Sequence, residues 1–140
     1  MTQRHMQDLV RDQDPVTLPP EATVQEACTR MRERRVGAVL VTEEDAGLVG
    51  IFTGRDAVCR VLAEGRTPSD TALGDVMTAA PHTADSGHTA IEVLRLMQDC
   101  GCRHMPITEG GRLVGIVSRG DFRGLEQARL DDETGLWERI

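Results

Sequence analysis

Two short segments of the chain place a hydroxyl side chain three residues ahead of a carboxylate. They are Thr53-Gly54-Arg55-Asp56 and Ser118-Arg119-Gly120-Asp121. Each follows an apolar run and is predicted to lie where a strand ends and a helix begins, where exposed backbone N–H groups favour an anion. The hydroxyl can donate to a phosphate oxygen, and the carboxylate can accept from ribose hydroxyls, as an acidic residue does in dinucleotide-binding folds. Arg119 and Arg55 lie in the same turns and can neutralise phosphate charge.

The same spacing also has a purely structural interpretation. A Ser or Thr followed by an acidic residue in the first turn is a good helix N-cap, and an isolated occurrence favours that interpretation. Here the pattern occurs twice, each time after Gly, Ile and one further apolar residue. The duplication favours ligand binding at one or both positions.

Both segments belong to an internal repeat that covers most of the chain. A shift of 66 residues places 24–31 on 90–97, and a shift of 65 places 48–53 on 113–118. Upstream, 8–10 matches 75–77 at a shift of 67. Residue type, order and spacing all agree, so the chain is expected to contain two copies of one structural unit.

Each copy is predicted to fold as strand, helix, strand, strand, helix. Thr23 with Glu26 and Thr89 with Glu92 have capping-box spacing, and apolar residues at helical spacing follow each pair. The next two runs read as a hairpin. The expected fold class is α/β (α+β), with two sheets packed face to face in pseudo-two-fold symmetry, since two helices cannot cover both faces of a sheet.

The expected domain boundaries follow from the repeat. The first copy spans 6–66, a turn-rich linker spans 67–72, and the second copy spans 73–124. The acidic tail, 125–140, departs from the repeat and contains the only Trp, Trp137. We expect the tail to dock on the module or on a second subunit.

Composition excludes several classes of function. The 140 residues carry a net charge of −7, which argues against nucleic-acid binding. All 16 basic residues are Arg, so lysine Schiff-base chemistry and a P-loop are excluded. The chain shows neither a signal peptide nor an apolar run long enough for a membrane helix, so we predict a cytoplasmic protein.

The four cysteines are expected to be free thiols in a reducing compartment, three of them acting as small apolar residues. They are Cys28, Cys59, Cys100 and Cys102. The close pair Cys100 and Cys102 has only His104 nearby, which is too few ligands for zinc, so no metal site is predicted.

Several motifs, in the same order in both copies, resemble a pair of cystathionine-β-synthase (CBS) domains, a Bateman module. They are 73–78, 103–107, 50–56 and 115–121, and the resemblance spans roughly residues 6–124. It implies a non-catalytic regulatory module that binds an adenosine-containing ligand in clefts between the copies. It also implies a homodimer, usually disc-shaped, and an unidentified regulated partner protein.

The candidate site residues lie in both copies. The base is expected against the strand backbone at Gly37-Ala38 and His104-Met105, although His104 has an equally good interpretation as a locally packed strand residue. AMP is the first candidate ligand, with ADP, ATP or NAD as alternatives, and no catalytic cofactor is expected. The predicted nucleotide-binding residues are Thr17, Gly37, Ala38, Thr53, Arg55, Asp56, Thr83, Arg103, His104, Met105, Pro106, Ile116, Ser118, Arg119 and Asp121.

Two other functions compete with the sensor hypothesis. A structural dimerisation or interaction module, with vestigial clefts, would act through its surface and its tail. An enzyme is disfavoured because the sequence lacks a Walker-type loop, a zincin helix and a catalytic Ser or Cys motif.

Overall fold

The computed structural model of the chain describes residues 4–122. These residues form two compact units. The first unit consists of residues 14–81, and the second unit of residues 4–13 together with 82–122. The predicted tail, 125–140, and the end of the second copy at 123–124 lie outside the described residues.

The regular elements are five α-helices and seven strands within the described residues. The helices are α1 (Met6–Leu9), α2 (Val24–Arg34), α3 (Gly54–Asp56), α4 (Leu73–Val76) and α5 (Ala90–Cys100). The strands are β1 (Thr17–Leu18), β2 (Ala38–Glu43), β3 (Gly47–Thr53), β4 (Thr78–Ala79), β5 (Ala84–Asp85), β6 (His104–Glu109) and β7 (Arg112–Ser118). A π-helix, Ala57–Leu62, continues α3, and 3-10 turns span Pro68–Asp70 and Arg119–Asp121.

The predicted mixed α/β fold is confirmed. In the first unit the sheet order is β1-β2-β3-β4, and in the second unit it is β5-β6-β7. The first strand of each sheet is parallel to the second, and the hairpin that follows is antiparallel. Both hairpins carry an irregularity at the same place, after Val41 and after Ile107. The repeat therefore extends to the register of the strands.

Local sequence signals explain where the two long helices begin and end. The Thr23 hydroxyl caps α2, and Thr89 forms a full capping box with Glu92 at the start of α5. Gly101 adopts a φ of 71° after α5, the left-handed conformation that a helix C-terminus often requires. Arg35 takes the same role after α2 with a φ of 55°.

Each unit has its own apolar core between helix and sheet. The first core is built from residues of α2, β2, β3, the π-helix and α4, including Val24, Val39, Phe52, Val61 and Leu73. The second core is built from residues of α1, α5, β6 and β7, including Met6, Val93, Met97, Ile107 and Val117. No helix within the described range is long and apolar enough to cross a membrane.

The segment that begins each repeat packs in the unit of the other repeat. In the second unit Met6 N donates to His88 O at 2.9 Å, and in the first unit Leu73 N donates to Ala22 O at 2.8 Å. His5 and Thr89 form one β-bridge, and the equivalent Ala72 and Thr23 form another. The packing units are thus divided differently from the sequence repeats, which begin near residues 6 and 73.

This exchange has two further consequences. The fourth strand of the first sheet, β4, comes from residues assigned by sequence to the second copy, and it pairs with β3 at Gly50 and Ile51. The predicted linker, 67–72, is folded: it contains a 3-10 turn, and its buried Thr71 hydroxyl donates to Thr67 O at 2.8 Å. The face-to-face arrangement of the two sheets stays a prediction.

Glu92 should give the fold a pH dependence. Its carboxylate accepts hydrogen bonds from the backbone N–H and the hydroxyl of Thr89 and lies near His88, which lowers its pKa from 4.5 to about 2. A carboxyl group with a lowered folded-state pKa stabilises the fold above its unfolded pKa, and this contribution is lost as pH falls through the folded pKa. In the wild type the urea midpoint should therefore fall as the pH is lowered from 4.5 to 2. We expect a smaller fall over this range in Glu92→Gln, because the glutamine does not titrate.

Glu26→Gln is the matched control for this measurement. In α2 the backbone N–H of Glu26 donates to the Thr23 hydroxyl, and the box is not completed by the Glu26 carboxylate. This variant should keep the wild-type dependence of the midpoint on pH. Identical profiles for Glu92→Gln and the wild type would show that the carboxylate bond does not stabilise α5.

Gly115 tests the packing of the N-terminal segment on the second unit. A Cβ atom at this position would lie 2.6 Å from Val10 Cβ and 2.7 Å from Gln13 Oε1, and the latter accepts from Ile116 N at 2.9 Å. Gly115→Ala should therefore lower the free energy of unfolding by about 1–3 kcal/mol through overpacking. Gly54→Ala, whose Cβ would meet nothing within 4 Å, is the control. Equal urea midpoints for the two variants would place the N-terminal segment elsewhere.

Candidate functional site

In the first unit the candidate site forms where β3 passes into α3. The Asp56 carboxylate oxygen Oδ2 accepts from Thr53 N at 2.9 Å and from Thr53 Oγ1 at 3.0 Å. In return, Asp56 N donates to Thr53 Oγ1 at 3.2 Å. These bonds are a complete capping box, so the structural interpretation of the Thr-x-x-Asp spacing is realised.

The second unit repeats this arrangement where β7 passes into the 3-10 turn. Asp121 Oδ2 accepts from Ser118 N at 2.7 Å and from Ser118 Oγ at 3.3 Å. Each hydroxyl therefore already donates to the carboxylate that follows it by three residues. Either acid can still accept further bonds, since an ionised carboxylate has about four lone-pair positions.

The strand opposite brings the predicted base-binding backbone to the same place. Ala38 is the register partner of Thr53, and His104 is the register partner of Ser118. The residues before them also meet the turn, because Gly54 N donates to Gly37 O at 3.1 Å and Arg119 N donates to Arg103 O at 3.2 Å. The structure thus brings the two predicted parts of each site together at one end of each hairpin.

Other predicted residues lie farther along the sheets. Met105 and Pro106 are buried in β6, and Ile116 is the register partner of Pro106. Thr17 is exposed on β1 opposite Leu40, and Thr83 is exposed directly before β5. Ile116 thus shares β7 with Ser118, Met105 and Pro106 lie one strand away on β6, and Thr17 and Thr83 lie two strands from the hydroxyl and carboxylate pairs.

The cations at the two sites differ. Arg55 is exposed in the first unit. In the second unit Arg119 Nε donates to Cys102 O and Arg119 Nη2 donates to Met97 O, both at 3.3 Å. Arg119 therefore donates to carbonyl oxygens at and just after the C-terminal end of α5, where positive charge is favourable. A phosphate would have to compete with these carbonyl oxygens for Arg119.

Arg60 is a charged neighbour of the first site that the sequence analysis missed. Its Nε lies 3.6 Å from Asp56 Oδ1, and its Nη1 donates to Val76 O at 3.2 Å and Met77 O at 3.0 Å. The i,i+4 spacing of Asp56 and Arg60 was the signal that could have found it. The equivalent position in the second copy is Leu125, so this ion pair is specific to the first copy.

His104 lies at the second site, as the register partner of Ser118. Burial lowers its pKa below 6.5, and the positive charge of Arg103 acts in the same direction, while the Asp121 carboxylate opposes both. Its Nδ1 is buried and lacks a hydrogen-bond partner within the described part of the chain. This nitrogen is therefore an unsatisfied buried polar atom next to the strand end that carries Ser118.

A groove of about 410 Å³ opens in the second unit. It is lined by His82, Thr83, Leu96, Asp99, Cys100 and Met105. Two of these, Thr83 and Met105, belong to the predicted site. A groove of about 460 Å³ in the first unit, between α2 and the π-helix, contains none of the predicted residues. Neither groove is lined by the hydroxyl or the carboxylate of a candidate site.

The cysteines depart from the expectation of four free thiols. The structure joins Cys100 and Cys102 in a disulfide, so that expectation is wrong for this pair, whereas Cys28 and Cys59 are free. The turn at Gly101 brings the two Cα atoms within 5.3 Å, inside the range that a disulfide requires. Among residues 4–122, no group of three or more His, Cys, Asp or Glu side chains is placed to hold a metal.

Comparison with known proteins identifies the family. The CBS domain profile matches residues 7–62 and 73–126. The CBS domain-containing protein CBSCBSPB3 of Arabidopsis thaliana is 40% identical over 102 residues, which is 73% of this chain and 18% of the relative. The chain thus spans less than a fifth of the length of that relative.

Two solved structures show the likeness in three dimensions. The CBS-domain containing protein ATU1752 from Agrobacterium tumefaciens is 32% identical, with a TM-score of 0.77, covering 89% of this chain and 98% of the other. The CBS domain protein PAE2072 from Pyrobaculum aerophilum, complexed with AMP, shares the fold at 24% identity, with a TM-score of 0.79 over 91% of this chain and 98% of its own. The chain therefore belongs to the CBS domain family and carries two copies of the domain in tandem.

Proposed function

We propose that this protein is a non-catalytic regulatory module that binds an adenosine-containing nucleotide, AMP first among the candidates, and transmits its binding to a partner protein. One observation carries the proposal: each unit brings a hydroxyl, a carboxylate and the backbone of the neighbouring strand together at one end of a hairpin. This is the set of groups that a ribose phosphate needs. The AMP bound to PAE2072 supports adenine nucleotides as the ligand class to test.

The capping boxes are compatible with a ribose at the same carboxylates. In both units the box uses Oδ2, and a ribose hydroxyl can donate to the remaining lone pairs. In the second unit Arg103 and Arg119 supply positive charge near Asp121, and the unpartnered His104 Nδ1 lies on the adjacent strand. The second site therefore has the larger set of groups suited to a nucleotide.

The alternative is an interaction module whose sites are vestigial. Two observations favour it: each Asp already has a structural role in its capping box, and the π-helix exposes Val58 by 57% and Leu62 by 62%. Exposed apolar side chains one turn apart suit a contact with a second copy, so we also propose a homodimer. On this alternative, nucleotides would bind nowhere on the protein.

Titration calorimetry against AMP, ATP and NAD decides between the two. We expect saturable binding of at least one of them to the wild type. Asp121→Ala should weaken that binding by about 1–3 kcal/mol, the cost of a lost hydrogen bond to a charged group. Asp121→Asn keeps one carbonyl oxygen for the turn, and it should fall between the wild type and the alanine variant.

The control is Asp45→Ala, which removes an exposed carboxylate from the β2–β3 turn at the other end of a hairpin. This variant changes the net charge by the same amount as Asp121→Ala, and it should leave the nucleotide affinity unchanged. Absence of heat with all three nucleotides would refute the sensor function and leave the interaction module. Wild-type affinity in Asp121→Ala would remove the ribose role of that residue.

A further inference from the structure

A cysteine pair and an arginine occur together in the second copy and are both missing from the first. Shifting back by 66 residues, Cys100 and Cys102 correspond to Arg34 and Val36, and shifting back by 65, Arg119 corresponds to Gly54. The backbone contact at this place is the same in both copies, since Gly54 N and Arg119 N donate to equivalent carbonyls. Cys100, Cys102 and Arg119 therefore occur only in the second copy, although the backbone contact beside them is the same in both copies.

The Arg119 side chain contacts the backbone of the cysteine turn at the end of α5. Met97 O accepts from Cys102 N at 2.9 Å and from Arg119 Nη2 at 3.3 Å. Cys102 O accepts from Arg119 Nε at 3.3 Å. The Nε–Nη2 edge of the guanidinium is one of the two edges that bind a phosphate with paired hydrogen bonds, and here the cysteine turn occupies it.

We propose that Cys100 and Cys102 form a reversible thiol–disulfide switch that positions Arg119 and so sets the affinity of the second site for a phosphate group. The proposal rests on the proposed nucleotide function and names its regulation. Arg119 is the residue that carries the effect, and the cysteines act through it.

The two redox states differ in the constraint on the turn after α5. Met97 O accepts from Gly101 N and Cys102 N as well as from Arg119 Nη2, and Cys102 O accepts from Arg119 Nε. The disulfide joins the residues on either side of Gly101 and so fixes the turn that presents both carbonyl oxygens to Arg119. Reduction removes this covalent link, so the turn can move and release the Nε–Nη2 edge of Arg119 for a phosphate.

The chemical step is oxidation by a peroxide. One cysteine thiolate attacks the O–O bond of hydrogen peroxide, which gives a sulfenic acid and, after protonation, one water. The second thiolate attacks the sulfenic sulfur, the S–O bond breaks, the S–S bond forms, and a second water leaves. Two thiols are oxidised and the peroxide is reduced. A small dithiol reverses the step by exchange. Cys100 lines the groove of the second unit, which gives such small molecules access.

The test compares AMP with adenosine on the full chain in both redox states. Intact mass should show the loss of two hydrogen atoms after peroxide and their return after dithiothreitol. By calorimetry, the reduced protein should bind AMP about fivefold more tightly, or more, than the oxidised protein. Adenosine, which lacks the phosphate, should bind equally in both states. A merely structural role of the cysteines would change both ligands alike.

Matched variants assign the effect. Cys59→Ser removes an exposed free thiol and should keep the redox difference. Cys100→Ser/Cys102→Ser should abolish it, and Cys102→Ser alone serves if the double variant does not fold. Arg119→Ala should abolish the difference for AMP while the mass still shows the disulfide.

Three results would overturn the proposal: no disulfide by mass, equal AMP affinity in both states, or tighter binding by the oxidised protein. Failure of the nucleotide function is distinguishable, because AMP would then bind in neither state while the disulfide still formed. That result would remove the regulatory role of the cysteine pair as well.

Discussion

The arrangement of both candidate sites depends on one hydrogen bond, from the backbone N–H at the end of a strand to the carboxylate three residues later. Thr53 N and Ser118 N make this bond at 2.9 Å and 2.7 Å. Because its acceptor is ionised, the bond is stronger than a neutral one and fixes the turn between strand and helix. This turn also positions the hydroxyl beside the neighbouring strand. The carboxylate thus already stabilises the turn, and a ligand could use only the lone pairs that the turn does not occupy.

Around this shared turn the two copies have different charged surroundings. In the first unit Arg60 pairs with Asp56 and bonds to the carbonyls after α4. In the second copy the sequence has Leu125 at the position of Arg60, and Arg119 donates to carbonyl oxygens at the end of α5. One backbone design therefore supports two sites of different charge, and only the second connects to a cysteine pair.

Local sequence patterns predicted the features that short stretches of chain determine. The capping box at Thr89, the hydroxyl cap at Thr23, the buried helix stripes and the two hairpins all depend on neighbours within a few residues or on the repeat itself. The box predicted at Thr23 is only half formed, because the Glu26 carboxylate does not complete it. The sequence did not predict that α1 and α4 each pack in the unit of the other repeat. Contacts such as Met6 N to His88 O join residues far apart in sequence, and local patterns do not reveal them. The Cys100–Cys102 pairing was missed for another reason: it depends on the left-handed turn at Gly101. The Arg60 contact was readable from its spacing and was overlooked.

An amide NMR titration of the full chain with AMP tests the central claim most directly. If the turn between strand and helix grips a sugar phosphate, the largest shift changes will occur at the backbone N–H groups of Thr53 to Asp56 or of Ser118 to Asp121. The hairpin turns at 43–47 and 109–111, at the opposite ends of the same strands, will change little. Saturable changes confined to those distant turns, or no changes at millimolar AMP, would contradict the account.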